Sequence, residues 1–261
     1  MGRVVHIALK CATKEIYDHS ARFYRDVFGI YETKNTYDRG HHSKHMTDGA
    51  IDLAVMLYDN EEEKEAKLAG PGPRIHHIGL EVLDRPSMIK KIEDNGGRIF
   101  SDRAEGALKY HSPDGTLGEI VGVGRYLKKD MSKQGRVAHV AMKVSDLDVA
   151  TRFYENVFDF RQVSTKNHDG HVSRHMSDGE MDIALISYAS GEAPEANLAG
   201  EGPCIHHWGV EVPDVAAAVE KARELGGEIL TGPGAAFVKV RAPDGNVCEI
   251  SPAGAYAAAA R

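Results

Sequence analysis

The chain has 261 residues, 42% of them hydrophobic and 27% charged, enough for two ordinary domains with sizeable cores. Its 32 lysines and arginines against 39 aspartates and glutamates leave a formal charge of −7, which argues against a nucleic-acid partner. No apolar run approaches membrane-spanning length, Met1-Gly2-Arg3-Val4-Val5 enters a strand rather than a signal peptide, and Cys11, Cys204 and Cys248 lack paired spacing; a cytoplasmic protein without membrane contacts or a disulfide framework is expected.

The first element is a strand, His6-Ile7-Ala8-Leu9-Lys10, with histidine and alanine on one face and Ile7 and Leu9 on the other. From about Ile16 to Phe28 apolar residues recur at helical spacing, and Gly29 follows as a stop. Two or three strands come next, ending in Ile51-Asp52-Leu53-Ala54-Val55, where Asp52 shares its face with Ala54. A charged connector from Asp59 to Lys67 leads through Gly70-Pro71-Gly72-Pro73 into Ile75-His76-His77-Ile78-Gly79-Leu80-Glu81-Val82. Alternation puts His77, Gly79 and Glu81 on one side of this strand and His76 on the other, and the glycine leaves open space beside the His77 imidazole. Arg85 to Asn95 reads as a second helix closed by Gly96-Gly97, and the last strands surround the turn Pro113-Asp114-Gly115 and carry Glu119. The order is strand, helix, three strands, taken twice, which implies antiparallel-rich sheets with helices on one face and a concave other face.

The second half of the chain repeats the first. Arg22-Phe23-Tyr24 returns as Arg152-Phe153-Tyr154, and His45-Met46 with Asp48-Gly49 returns as His175-Met176 with Asp178-Gly179, each 130 residues later. The strand at His6 returns at His139, the strand at His77 at His207, and the helices near Asp148 to Val157 and Val215 to Leu225. Module one is expected over 1–127, with halves of about 1–60 and 73–125. A linker over 128–135 and module two over 136–256 follow, the latter with halves of about 136–190 and 203–256, then an Ala-rich tail, 257–261, that need not be ordered.

Glu119 and Glu249 each follow a strand histidine by 42 residues and sit inside otherwise apolar strands, where a charge is costly unless paired or bound to a cation. Two imidazoles and one carboxylate on a concave surface suit a divalent metal with open coordination positions. Asp52 and Asp182 fit a fourth ligand, a general base or a hydrogen-bonded strand-end aspartate. Lys109 and Lys239 fit an anionic substrate group or a solvated strand face. His41, His45, His171 and His175, beside Ser43 and Ser173, either line the cup or lie on hairpin surface.

In its His-x-[Ala/Gly] strands, its Arg-Phe-Tyr helices and its Pro-Asp-Gly turns followed by glutamate, the chain resembles the vicinal oxygen chelate superfamily, which includes glyoxalase I, fosfomycin-resistance proteins, methylmalonyl-CoA epimerase and extradiol dioxygenases. The resemblance implies an α+β fold of tandem βαβββ units. It implies two modules, each a curved, cup-like mixed sheet with helices on its outer face, around a metal chelated by two neighbouring oxygens of a small-molecule substrate. It implies the ligand sets His6, His77 and Glu119 in module one and His139, His207 and Glu249 in module two, with iron, manganese, nickel, cobalt or zinc left open.

Glyoxalase I has a fourth, glutamate ligand where this chain has Asp52 and Asp182. The expected activity is therefore a glyoxalase-type isomerase or lyase with up to two sites per chain, in which the metal polarises a carbonyl and the aspartate moves a proton. In that reading Lys109, Lys239, His45 and His175 bind substrate. The alternative is an iron(II)-dependent dioxygenase of extradiol type, although extradiol enzymes carry a tyrosine where Lys109 and Lys239 stand. A third reading, a non-catalytic binder like the bleomycin-resistance proteins, is disfavoured by six intact ligands. The chain is expected to be a monomer or a homodimer.

Overall fold

A computed structural model describes residues 2–38, 40–100, 106–126, 132, 134–257 and 259. Strands β1 (Arg3–Cys11) and β5 (Arg74–Val82), the two that carry His6 and His77, run antiparallel at the centre of one sheet. On the far side of β1 lie β4 (Asp52–Tyr58), parallel to it, then β3 (His41–Thr47) and β2 (Tyr31–Asp38). On the far side of β5 lie β8 (Leu117–Gly122), parallel to it, then β7 (Leu108–His111) and β6 (Arg98–Ile99).

The second sheet has the same order. There β9 (Arg136–Lys143) and β13 (Cys204–Val212) are central, with β12 (Asp182–Tyr188), β11 (His171–Ser177) and β10 (Arg161–His168) on one side. On the other side are β16 (Val247–Pro252), β15 (Val238–Arg241) and β14 (Glu228–Ile229). Each mixed eight-stranded sheet is thus two βαβββ units joined at their first strands, and each is drawn wholly from one half of the chain.

Helix α1 (Lys14–Phe28) begins two residues before the expected start, because the Thr13 side chain caps it by accepting from the Ile16 N–H. It ends at Gly29, whose φ of 68° is the left-handed conformation of a helix stop. The charged connector holds one short turn, α2 (Lys64–Lys67), which hydrophobic spacing does not announce. A buried lysine anchors it: Lys10 Nζ donates to the carbonyls of Ala66 and Gly70 at 3.2 and 3.0 Å. Lys143 holds the equivalent loop through the carbonyls of Ala196 and Gly200.

Ile7 and Leu9 face α1 in the main core, while Ala8 belongs to a small separate cluster with Ala54, Met56 and Tyr58 on the cup side. The main core is continuous across the modules. Trp208 of β13 meets Tyr24 and Phe28 of α1 with ring centroids 5.4 and 5.8 Å apart. Tyr110 of β7 meets Phe153 and Phe158 of α4 (Leu147–Phe158) at 6.1 and 5.8 Å. Helix α1 also packs on α5 (Val215–Glu224), and α3 (Arg85–Asp94) on α4.

The repeated Asp-Gly pair fastens this seam. Asp48 Oδ2 accepts from the Val137 N–H at 2.7 Å, and Asp178 Oδ2 from the Val4 N–H at 2.8 Å, so each module's turn receives the other module's first strand. Most of the expected linker, 128–131 and 133, lies outside the described residues, as do 258, 260 and 261 of the tail. Ala259 is buried, and its carbonyl accepts from Arg161 at 3.2 Å and from Ser177. Among the described residues no helix is long and apolar enough to cross a membrane.

Candidate metal centres

The His-x-small pattern is a pairing rule between two neighbouring strands. His6 lies opposite Gly79, and Ala8 lies opposite His77, so each imidazole stands beside a residue that leaves it room. The space beside His77 is therefore filled by His6, whose Cβ a methyl group on residue 79 would approach to 2.8 Å. His139 and Gly209 repeat the arrangement. In parallel register with Gly79, β8 brings Glu119 to the same place, and β16 brings Glu249 beside Gly209.

The result is two buried triads, His6 with His77 and Glu119, and His139 with His207 and Glu249. Each residue of a triad offers a ligand atom within 4.8 Å of the other two. All six side chains come from within their own module. Two imidazoles and a carboxylate form a donor set that fits a divalent transition metal with positions left open toward the cup.

Each triad residue has a partner that turns it. Asp52, level with His6 on the parallel neighbour β4, accepts from His6 Nδ1 at 2.6 Å and from His45 Nδ1 at 2.9 Å. Asp182 does the same for His139 at 2.6 Å and His175 at 2.9 Å. An imidazole that donates through Nδ1 offers Nε2 to a metal. Burial raises the Asp52 carboxyl, but the hydrogen bonds from His45 and His6 outweigh it and bring its pKa from 3.8 to about 2. Asp182 is lowered further, against the same cost of burial, by His139 and His175.

Glu119 Oε1 accepts from the Tyr126 hydroxyl at 2.8 Å, and the Tyr126 ring stacks on His6 with centroids 4.3 Å apart. Tyr256 bonds Glu249 and stacks on His139 at 4.7 Å in the same way. Both tyrosines follow the last strand of their module, 130 residues apart. That repeat spacing is a signal in the sequence itself, which strand alternation does not reach.

His76 and His206 overturn a simple alternation. They were expected on the face away from His77 and His207, yet both lie on the cup side, with Nδ1 of His76 2.8 Å from Nδ1 of His77, and 2.7 Å for the second pair. The cause is a β-bulge: Ala8 pairs with His77 and Leu9 with Ile75, so His76 is the extra residue, and His206 likewise between Ile205 and His207.

The two cups differ at their lysines. Lys109 turns inward, with Nζ 2.9 Å from His77 Nε2 and in closer contact with Glu119. Lys239 turns outward to Glu195 at 2.8 Å and is 3.6 Å from Glu249. Burial, then the Lys109 ammonium, brings the His77 pKa down to about 4. Burial opposes ionisation of Glu119, but Lys109 and His77 hold its carboxyl well below the usual range.

In module two His139 Nε2 and His207 Nε2 face each other at 3.3 Å. The cup there encloses about 440 Å³, with His171, His175, Lys239 and Phe237 in its wall. The cup of module one encloses about 180 Å³ among the described residues, with His41, His45, Lys109 and Arg125 in its wall.

The sequence profile described as Glyoxalase/Bleomycin resistance protein/Dioxygenase superfamily matches residues 3–116 and again 136–250. Among solved structures, a mutant of 4-hydroxymandelate synthase from Streptomyces coelicolor superposes with a TM-score of 0.73 at 16% identity, over 95% of this chain and 92% of that one. The 2,2',3-trihydroxybiphenyl 1,2-dioxygenase of Sphingomonas wittichii strain RW1 gives 0.67 at 16% identity, over 95% and 89%. A halotolerant catechol dioxygenase gives 0.64 at 15% identity, over 95% and 85%. At these identities the likeness is one of fold. A search of curated proteins finds no match for the chain.

Proposed function

This chain belongs to the Glyoxalase/Bleomycin resistance protein/Dioxygenase superfamily, and from that premise we propose that it is an iron(II)-dependent dioxygenase acting on a small molecule with two neighbouring oxygens. The observation that carries this reading is the position of Asp52 and Asp182. Each carboxylate already accepts two imidazole N–H groups and has a depressed pKa, which makes it a poor base and turns it toward the back of a ligand histidine. Three protein donors with open positions are the pattern of non-haem iron(II) oxygenases, whereas a glyoxalase-type site would use the aspartate as fourth ligand or base.

His6, His77 and Glu119 would hold the ion in module one, and His139, His207 and Glu249 in module two. Bound there, iron(II) would supply a Lewis acid for the two substrate oxygens and the electrons for reaction with dioxygen. The protein's own part is orientation. Asp52 fixes the His6 ring, Tyr126 holds Oε1 of Glu119 while Oε2, which Lys109 Nζ contacts in the structure, would face the ion, and the buried strands keep both side chains from turning. Lys239, in the wall of the larger cup and 2.8 Å from Glu195, would receive an anionic group of the substrate, with His175 at the same wall.

The test is metal analysis and oxygen uptake on protein purified without oxygen or chelator. About two equivalents of iron, and oxygen consumption with a catechol or an α-keto acid that is lost in a His77→Ala, His207→Ala double variant, are expected. Full metal loading with no oxygen consumption, but with isomerisation of a vicinal oxygen substrate, would instead establish the Lewis-acid reading. One observation favours that second reading: Lys109 and Lys239 stand where extradiol enzymes carry a tyrosine.

A further inference from the structure

We propose that His76 and His206 are positioning residues that lock the neighbouring ligand histidine in the tautomer able to bind a metal, by relaying a hydrogen bond from a connector carbonyl to the ligand ring. The proposal rests on the metal reading of the two triads. It concerns residues that the ligand pattern leaves out.

Each relay is a fixed chain of donors and acceptors. His76 Nε2 is 2.9 Å from the Glu65 carbonyl, and His206 Nε2 is 2.7 Å from that of Glu195. A carbonyl oxygen only accepts, so Nε2 of each ring carries the hydrogen. Both rings are buried, at 1% and 0% exposure. A neutral ring protonated at Nε2 has a bare Nδ1, and that atom faces Nδ1 of His77 at 2.8 Å, or of His207 at 2.7 Å. The ligand ring must therefore donate from Nδ1, which leaves its Nε2 as a lone pair.

In module one the far end of the chain requires the same answer independently, whereas in module two His207 Nε2 faces His139 Nε2 at 3.3 Å. Lys109 Nζ, which can only donate, lies 2.9 Å from His77 Nε2. A cationic His76 would instead donate to His77 Nδ1, placing the His77 hydrogen on Nε2 against an ammonium. Both modules build the relay with the same bulge, and both anchor the loop that supplies the carbonyl with a buried lysine, Lys10 or Lys143. In solution the relay thus makes the connector part of the metal site, although it contributes no ligand atom.

Two measurements decide it. The first uses full-length, chelator-treated protein with nitrogen-15 histidine and long-range proton–nitrogen correlation. Protonated Nδ1 on His77 and His207 and protonated Nε2 on His76 and His206 are expected; Nε2-protonated ligand rings overturn the proposal whatever the variants do. The second titrates cobalt(II), read by visible absorption, into the wild-type chain and into His76→Phe and His76→Gln.

Glutamine can donate to the Glu65 carbonyl and accept from His77, so affinity at the first centre should fall roughly 10- to 100-fold in the phenylalanine variant and return to within a few-fold of wild type in the glutamine variant. The second centre, unchanged in both, serves as the internal reference, and His206→Phe should reverse the pattern. Equal loss in the phenylalanine and glutamine variants, or loss tracking only their melting temperatures, overturns the relay. Should the wild-type chain bind no metal at all, the metal reading fails, while the nitrogen shifts still decide the tautomers.

Discussion

His6 and Gly79 face each other across the central strand pair so closely that a single added methyl on residue 79 would lie 2.8 Å from the His6 Cβ. Because the contact is to the stem of a ligand side chain, relief requires His6 to move. Gly79→Ala should cost about 1–3 kcal/mol of stability and abolish metal binding at the first centre alone. Metal equivalents per chain, counted beside Gly209→Ala, check this; two full equivalents in either variant would contradict it.

Asp52→Asn separates an orienting role from a basic one. The amide keeps one acceptor but loses the charge that holds two imidazole N–H groups. Metal affinity at the first centre should fall roughly 10- to 100-fold, and Asp182→Asn should do the same at the second. A chelator-competition titration reads the effect. Unchanged affinity with lost turnover would return the aspartates to the role of base.

Tyr126→Phe keeps the ring stacked on His6 and removes the hydroxyl that Glu119 accepts from. The loss of one hydrogen bond to a charged group is worth about 1.5–3 kcal/mol. It should appear as weaker metal binding at the first centre with little change in the rate of loading. Tyr126→Leu, which also removes the stacking, should be worse; equal behaviour of the two variants would assign the effect to packing.

The carboxylates that cross the seam bear on cooperativity. Asp48 and Asp178 each accept the other module's backbone N–H in a buried setting, and burial raises both carboxyls. Replacing either by alanine leaves that N–H without its acceptor and should cost about 1–3 kcal/mol. The chain's one tryptophan, Trp208, packs against module one, so its fluorescence reports the seam directly. Denaturation followed by fluorescence and by far-ultraviolet circular dichroism should give one coincident transition; separate transitions would mean that the modules unfold independently.

Acid should weaken the metal-free protein well above the carboxylate range. Burial lowers His77 and His206 to about 4 and holds His76 and His207 well below 6.5. Unfolding restores ordinary values near 6.5. Above that pH both states are neutral and stability is level. Below it the unfolded chain binds protons that the native chain does not, so stability falls as pH drops from 6.5 toward 4, by up to about 1.4 kcal/mol per unit for each histidine. Asp244, raised by burial to about 6, has the opposite sign, as do Asp48 and Asp178, three carboxyls against these four histidines and the lowered His111 and His171. Asp52 enters only below its ordinary value of 3.8, and its contribution is lost by about 2. Thermal melts between pH 7.5 and 5 check the slope, and a melting temperature that holds or rises on acidification would contradict it.

The sequence by itself determined the architecture and which six residues meet in two His-His-Glu triads. Period-two alternation states which face of a strand a side chain occupies, so His6, Glu119 and their repeats could be placed on one surface, and duplication put the same statement on the page twice. It also named the charge inside an apolar strand, which burial makes costly without a cation.

Only the tertiary structure decided what stands behind each ligand. Alternation fails at a bulge, where one extra residue turns His76 onto the cup face, and nothing in the spacing of Ile75-His76-His77 announces it. Asp52 read equally as ligand, base or hydrogen-bond acceptor until the parallel pairing of β4 with β1 set it level with His6. Tyr126 lies beyond the last strand, so its place depends on how the chain leaves the sheet. These partners meet across strands and loops far apart in the chain, and that register is set by packing against the shared core rather than by any local pattern.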